Sequence, residues 1–135
     1  GEFYEPIDKY LNIIKELNLS EKIIIDNNFL DSKKIRDYMC ASEIVIQPYI
    51  KASQSGITPV AYFYETPLIV SNIKGLREIV ERDNSGEVFN KTSENLSKVI
   101  LNSLKNNNQE TYRDNIKKSK SKYTWSRFIQ EIEKV

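Results

Sequence analysis

Short apolar runs alternate with segments of helical periodicity along most of this chain, and this alternation constrains its fold more than any other feature. Runs of strand length lie at 21–26, 43–49, 67–71 and 86–90. Apolar residues at helical spacing predict helices over 6–17, 31–41, 57–64, 76–82, 94–106, 109–121 and 124–134. Because strands that alternate with helices pair in parallel, the predicted fold class is α/β with a parallel sheet.

Composition excludes several classes of function. The 135 residues form one domain by length, and 20 basic residues nearly cancel 19 acidic ones. This balance argues against a dedicated nucleic-acid binder. The chain has no histidine, which excludes a histidine-dependent triad within it and argues against a zinc site. The single cysteine, Cys40, is interpreted as a buried thiol in a reducing compartment. No apolar run approaches the roughly 18 residues of a membrane span.

The loops that follow the predicted strands contain the candidate site. In an open parallel sheet, ligands bind where the carboxyl ends of the strands lead into helices. Gly56 stands just before a predicted helix, where free backbone N–H groups and the helix dipole favour an anion. Ser53, Gln54, Ser55, Thr58 and Lys51 surround it with donors. The stretch therefore has the parts of a phosphate cradle, although a turn glycine alone remains an alternative.

Several motifs in a fixed order give the chain a family resemblance. They are Asn28-Phe29, Ala41-Ser42-Glu43, Pro48, Gln54-Ser55-Gly56, Thr66-Pro67 and Gly75-Leu76-Arg77-Glu78. Over about residues 10–130, the chain resembles the C-terminal, donor-binding half of a GT-B-type retaining glycosyltransferase of the group 1 family. The resemblance implies a Rossmann-like parallel sheet with helices on both faces, as one half of a two-domain enzyme.

Some positions depart from the family pattern. The family's two donor-site glutamates would fall on Ala52 and Val60, so their roles cannot be carried over. The loop instead looks like a Gln-Ser-Gly variant. Glu65 stands where a glycine is usual, and is a candidate replacement carboxylate or a solvated helix-end residue. Lys74 replaces the first glycine of a pair. Glu78 matches the family turn, as a ligand or as a helix N-terminal acid.

The resemblance implies transfer of a sugar, with retention, from a UDP-sugar or a GDP-sugar to a hydroxyl of a glycan or lipid-linked acceptor, in bacterial surface polysaccharide synthesis. It implies no cofactor and no metal, a cytoplasmic location with peripheral membrane association of the full-length enzyme, and no nucleic-acid partner. The acceptor domain is expected upstream, and residues 1–3 are interpreted as a cloning remnant. This domain alone is therefore expected to be inactive, with unknown catalytic residues. The implied site residues are Lys51, Ser53, Gln54, Ser55, Gly56, Ile57 and Thr58 for the diphosphate and sugar; Asn28, Phe29, Leu30 and Glu65 for the base and ribose; and Lys74, Gly75 and Glu78 beside the cleft.

A non-catalytic α/β interaction or regulatory module is the alternative function. Its best-known form, a phospho-acceptor receiver domain, needs acids clustered at strand ends. Only Asp26 ends a predicted strand, which counts against that form. A nucleotide titration distinguishes the two functions, since only the glycosyltransferase domain should respond to nucleoside diphosphates.

Overall fold

The computed structural model describes residues 5–124 together with 129 and 133. The chain divides into two compact units, residues 1–35 and 36–135. Apart from 124, 129 and 133, the predicted helix over 124–134 lies outside the described residues. The predicted remnant at 1–3 lies outside them as well.

The first unit contains one of the predicted helices but not the predicted strand. Helix α1 spans Asp8–Glu16, as the apolar spacing over 6–17 predicts. The run at 21–26 begins in a turn, where the N–H groups of Lys22 and Ile23 both donate to the Leu19 carbonyl, at 2.9 and 3.1 Å, and residues 23–26 are irregular. Ile24 is 87% exposed. The prediction of a buried strand here is therefore wrong. A strand needs a neighbour for its backbone N–H and C=O groups, and no described residue pairs with this segment in a sheet.

The second unit contains a parallel α/β sheet. Its strands are β1 Val45–Gln47, β2 Leu68–Ser71 and β3 Gly86–Phe89, and β2 lies in the centre, with Val45 opposite Leu68 and Leu68 opposite Gly86. The predicted α/β class is confirmed, as is the parallel pairing of the runs at 43–49 and 67–71. The elements are α2 Ser32–Ala41, which begins in the first unit, β1 Val45–Gln47, α3 Ile57–Phe63, β2 Leu68–Ser71, α4 Lys74–Asp83, β3 Gly86–Phe89, α5 Ser93–Asn106, α6 Gln109–Ser119 and a 3-10 helix at Lys120–Tyr123.

The central strand shows how this sheet is covered. All four residues of β2 are buried. Side chains alternate across a strand, so Leu68 and Val70 face one side and Ile69 the other. Leu68 and Val70 join a core that also contains Ala61 and Tyr62 of α3, Leu76 and Val80 of α4, and Ile116 of α6. Ile69 is equally buried, at 1% exposure. Both faces of the sheet are therefore covered, which is why β2 is a continuous apolar run.

Helix α2 is less buried than its sequence predicts. The apolar spacing over 31–41 predicts that Tyr38 faces inward, yet Tyr38 is 40% exposed, whereas Met39 packs against the core. Cys40 is exposed, so its interpretation as a buried thiol is wrong. The apolar neighbours of Cys40 in sequence point in other directions, because successive residues on a helix do not share a face. Among the described residues, no helix is long and apolar enough to cross a bilayer.

Candidate functional site

Three helix N-termini meet the carboxyl ends of the three strands. Strands β1, β2 and β3 end at Gln47, Ser71 and Phe89, and α3, α4 and α5 begin after the loops that follow them. Because the strands are parallel, all three loops lie at one edge of the sheet. The N-terminal N–H groups and dipoles of the helices make this edge a favourable place for an anion.

The loop between β1 and α3, residues 48–56, holds most of the predicted diphosphate ligands. The Ser55 hydroxyl accepts the Ile57 N–H at 3.2 Å, and the Ser55 carbonyl accepts the Thr58 N–H at 3.2 Å. Ile57 N–H is therefore occupied by the protein, contrary to its predicted role. In the part of the chain that the structure describes, the Ser55 and Gly56 N–H groups donate to no protein acceptor. These two groups can face a ligand.

Gly56 has space around it. Its φ is −64°, in the ordinary helical region, so its conformation does not require glycine. A Cβ atom built on Gly56 would meet no atom within 4 Å. The backbone here is thus open to an approaching group, and the need for a turn does not explain the glycine.

Thr58 does not take the predicted role of a phosphate donor. It is 4% exposed, and its hydroxyl exchanges hydrogen bonds with the side-chain amide of Gln47, both at 3.2 Å. Gln47 is itself 2% exposed, and its backbone carbonyl accepts a hydrogen bond from the Ser71 hydroxyl at 3.1 Å. These polar groups are satisfied below the surface, where they tie α3 and β2 to the end of β1.

Three other loop candidates are exposed side chains: Lys51, Ser53 and Gln54. Between them, Ala52 occupies one of the slots where the resemblance expects a glutamate. It packs against the core instead. The loop therefore offers a cation and polar donors to solvent, and Ala52 packs against the core beneath them.

Helix α4 begins against this loop. A Cβ on Gly75 would lie 1.8 Å from the Ser53 carbonyl oxygen, so only glycine allows this close approach. Lys74 precedes it as the exposed first residue of α4. Because α4 starts at Lys74, Glu78 lies beyond the first turn of the helix. That first turn contains no acidic residue. Its interpretation as a helix N-terminal acid is therefore wrong.

A polar network that was not predicted from the sequence lies at the ends of β2 and β3. Arg77 donates to the Asn72 side-chain oxygen at 2.7 Å, and the Asn72 amide donates to Asn90 at 3.1 Å. Lys91 Nζ donates to the Ile50 carbonyl at 3.0 Å. In the sequence, the polar run Asn90-Lys91-Thr92 directly after β3 is the pattern that indicates this network.

A cavity of about 180 Å³ lies between the β1–α3 loop and the start of α5. The residues that line it include Tyr49, Ser71, Lys91 and Ser93, which carry polar groups, and the apolar Phe89. The Tyr49 hydroxyl also lies 3.2 Å from the Ser55 hydroxyl. The cavity thus adjoins the loop that carries the open N–H groups.

Glu65 does not join the other candidates. It sits in a left-handed turn, with φ of 59°, before the amino end of β2 and therefore at the opposite edge of the sheet. Its carboxylate pairs with Lys120. The hydrogen bond from Lys120 lowers the pKa of the Glu65 carboxyl. The predicted role beside the ribose does not fit this position.

Asn28, Phe29 and Leu30 belong to the first unit, whereas the loop candidates belong to the second. The Asn28 amide donates to Asp26 at 3.2 Å, and Phe29 is 92% exposed. An exposed aromatic ring can stack on a planar base. Within the described residues, no three Cys, Asp or Glu side chains cluster as metal ligands would.

Comparison with known proteins adds one match. Neither the curated proteins nor the solved structures yield a significant match to this sequence. A family model, described as glycosyl transferases group 1, matches residues 7–122. This match covers most of the chain and includes every candidate site residue named above. Its members transfer glycosyl groups, and the chain belongs to the glycosyl transferases group 1 family.

Proposed function

We propose that this chain is the donor-binding half of a GT-B-type retaining glycosyltransferase. The donor is a UDP-sugar or a GDP-sugar, and the sugar passes to a hydroxyl of a glycan or lipid-linked acceptor held by a second domain. The enzyme acts in the cytoplasm, at the inner face of the membrane, in the synthesis of a bacterial surface polysaccharide. The chain by itself binds the nucleotide but transfers no sugar, because acceptor and donor are not brought together.

One observation carries the assignment of the diphosphate site. The Ser55 and Gly56 N–H groups have no protein acceptor in the described part of the chain, and the space around Gly56 is open. They lie at the N-terminal end of α3, where the helix dipole favours negative charge. In glycosyl transfer from a nucleotide sugar, negative charge develops on the departing diphosphate. Fixed N–H donors aimed at that charge lower the barrier.

Neighbouring groups complete the proposed site. Lys51 supplies a positive charge, and Ser53 and Gln54 supply donors to phosphate or sugar. Lys74 extends from the start of α4, which touches the same loop. Asn28, Phe29 and Leu30 receive the base, a role that rests on the family resemblance. No metal ion takes part in this proposal, because the backbone donors and lysines supply the positive potential.

Titration of UDP and GDP into isotope-labelled chain tests this function. We expect weak binding, with Kd of roughly millimolar, and amide shifts at 51–56, 74–75 and 28–30. Uridine and guanosine are the matched controls: they lack phosphate and should leave the 51–56 amides unshifted. Shifts confined to α5 and α6, or no response to either diphosphate, would contradict the proposal and favour a non-catalytic interaction module.

A further inference from the structure

Lys91 bridges two loops that are far apart in sequence. It follows β3, and its ammonium donates a hydrogen bond of 3.0 Å to the backbone carbonyl of Ile50, 41 residues earlier. Ile50 lies in the β1–α3 loop, and its side chain is 77% exposed. The loop at this point is therefore held through its backbone, because the Ile50 side chain packs against little.

The base of the Lys91 side chain is itself fixed. The Asn90 N–H donates to the Asn95 side-chain oxygen at 2.6 Å, and the Asn95 N–H donates to the Thr92 hydroxyl at 3.2 Å. Asn90 also accepts the Asn72 amide at 3.1 Å. Residues on both sides of Lys91 are thus tied to α5 and to the end of β2. A long side chain on such a base loses less freedom when it makes one specific hydrogen bond.

The rest of the loop is anchored at other points. The Ser53 backbone rests on Gly75, and the Tyr49 and Ser55 hydroxyls lie 3.2 Å apart. The Lys91 bond fixes Ile50, before the segment that carries the Ser55 and Gly56 N–H groups. A hydrogen bond from an ammonium to a carbonyl is charge-assisted and therefore among the stronger ones.

We propose that Lys91 is a positioning residue for the diphosphate site. By holding the Ile50 carbonyl it keeps the β1–α3 loop in the conformation that presents the Ser55 and Gly56 N–H groups, and so raises nucleoside diphosphate affinity without touching the diphosphate. This inference rests on the function proposed above. Preorganised donors bind more tightly because the loop need not be ordered on binding.

The test compares Lys91→Met, Lys91→Arg and a control, Lys98→Met, by amide spectra and relaxation of the ligand-free chain. Lys98 is an exposed residue of α5, and its replacement removes the same charge. Lys91→Met should shift and mobilise the amides of 50–56, Lys91→Arg should restore them because it keeps a donor, and Lys98→Met should leave them unchanged. Affinity for UDP and GDP should fall about two- to tenfold in Lys91→Met only. Thermal unfolding of each variant checks that the fold is intact.

The outcomes separate the claims. If affinity falls while the ligand-free loop amides do not move, Lys91 contacts the diphosphate directly and the positioning role is wrong. If the loop moves and affinity is unchanged, positioning does not serve this site. If the wild-type chain binds neither nucleotide, the proposed function is wrong, and so is the effect of Lys91 on affinity. The ligand-free spectra would still report whether Lys91 holds the loop.

Discussion

Gly56 and Gly75 both precede or open a helix at the same edge of the sheet, but the structure needs them for different reasons. Gly56 has helical dihedral angles and open space where a Cβ would stand. Gly75 has the Ser53 carbonyl oxygen 1.8 Å from that position. The first glycine therefore leaves room for a ligand, and the second leaves room for the chain itself.

Gly56→Val should weaken binding more than folding. Its side chain would fill the space beside the open N–H groups, so affinity for nucleoside diphosphate should fall about tenfold or more, the loss of at least one good hydrogen bond. The free energy of unfolding should drop by about 1 kcal/mol, because Gly56 already has helical dihedral angles and a Cβ there would meet no other atom. Calorimetric titration and urea unfolding measure the two effects.

Gly75→Ala is the matched comparison, and it should lower the free energy of unfolding more than the affinity for nucleoside diphosphate. Its methyl group forces the loop or α4 to move, which should cost about 1–3 kcal/mol of stability, as overpacking does. If Gly56→Val unfolds the chain and Gly75→Ala does not, the turn explains Gly56 and the diphosphate site loses its support.

At the scale of elements, α5 shows how one side chain starts a helix beside the site. Thr92 caps α5: its hydroxyl accepts the Asn95 N–H at 3.2 Å, and its backbone is extended, with φ of −123°. A hydroxyl in this position satisfies one of the N–H groups that a helix start leaves unpaired.

Thr92→Ala should therefore lower the free energy of unfolding by about 1 kcal/mol. Urea unfolding followed by circular dichroism measures this change. Thr111→Ala, at an exposed position within α6, is the control. It should cost nothing or stabilise slightly, since alanine has the higher helix propensity. Equal losses in the two variants would mean that the Thr92 cap contributes nothing.

Within the second unit as a whole, a buried carboxylate at the end of α4 joins that helix to α3 and to the 3-10 helix. Asp83 accepts hydrogen bonds from Tyr62 of α3 at 3.1 Å and from Lys122 and Tyr123 of the 3-10 helix, both at 2.9 Å. Arg82 pairs with it at 3.0 Å. Burial by itself would raise the pKa of the Asp83 carboxyl, but the bonds from Arg82, Lys122 and Tyr123 outweigh burial and hold that pKa well below its ordinary value.

Acid should weaken this junction. Because the pKa of Asp83 is lower in the folded than in the unfolded chain, its contribution to stability is complete above the ordinary carboxyl pKa, about 3.9, and is lost as pH falls below it. Asp83→Asn should cost about 2–3 kcal/mol at neutral pH. The difference in free energy of unfolding between wild type and Asp83→Asn should shrink as pH falls from about 4 to about 2. Urea unfolding across this pH range measures it.

Asp114→Asn serves as the control, since Asp114 is an exposed residue of α6. Its effect should be within about 0.5 kcal/mol at every pH. If the difference in free energy of unfolding between wild type and Asp83→Asn stays constant as pH falls to about 2, the carboxylate charge does not stabilise this junction.

Local sequence patterns were enough to predict most of the elements and the class of the fold. Short apolar runs and helical apolar spacing report which side chains must leave water, and they predicted β1, β2, β3 and six helices within a few residues of their observed ends. Glycine and serine before a helix likewise predicted the edge of the sheet where the candidate site lies. These features are local, so neighbouring residues suffice to specify them.

Which groups a ligand can reach depends on the folded chain. Thr58 was a reasonable donor by sequence, but its hydroxyl pairs with Gln47, 11 residues earlier. Glu65 lies at the far edge of the sheet, paired with Lys120. The run at 21–26 has the composition of a strand, yet no described residue pairs with it in a sheet. A hydrogen-bond partner distant in sequence leaves no local pattern, so availability of a donor, unlike helical or strand periodicity, had to be read from the folded chain.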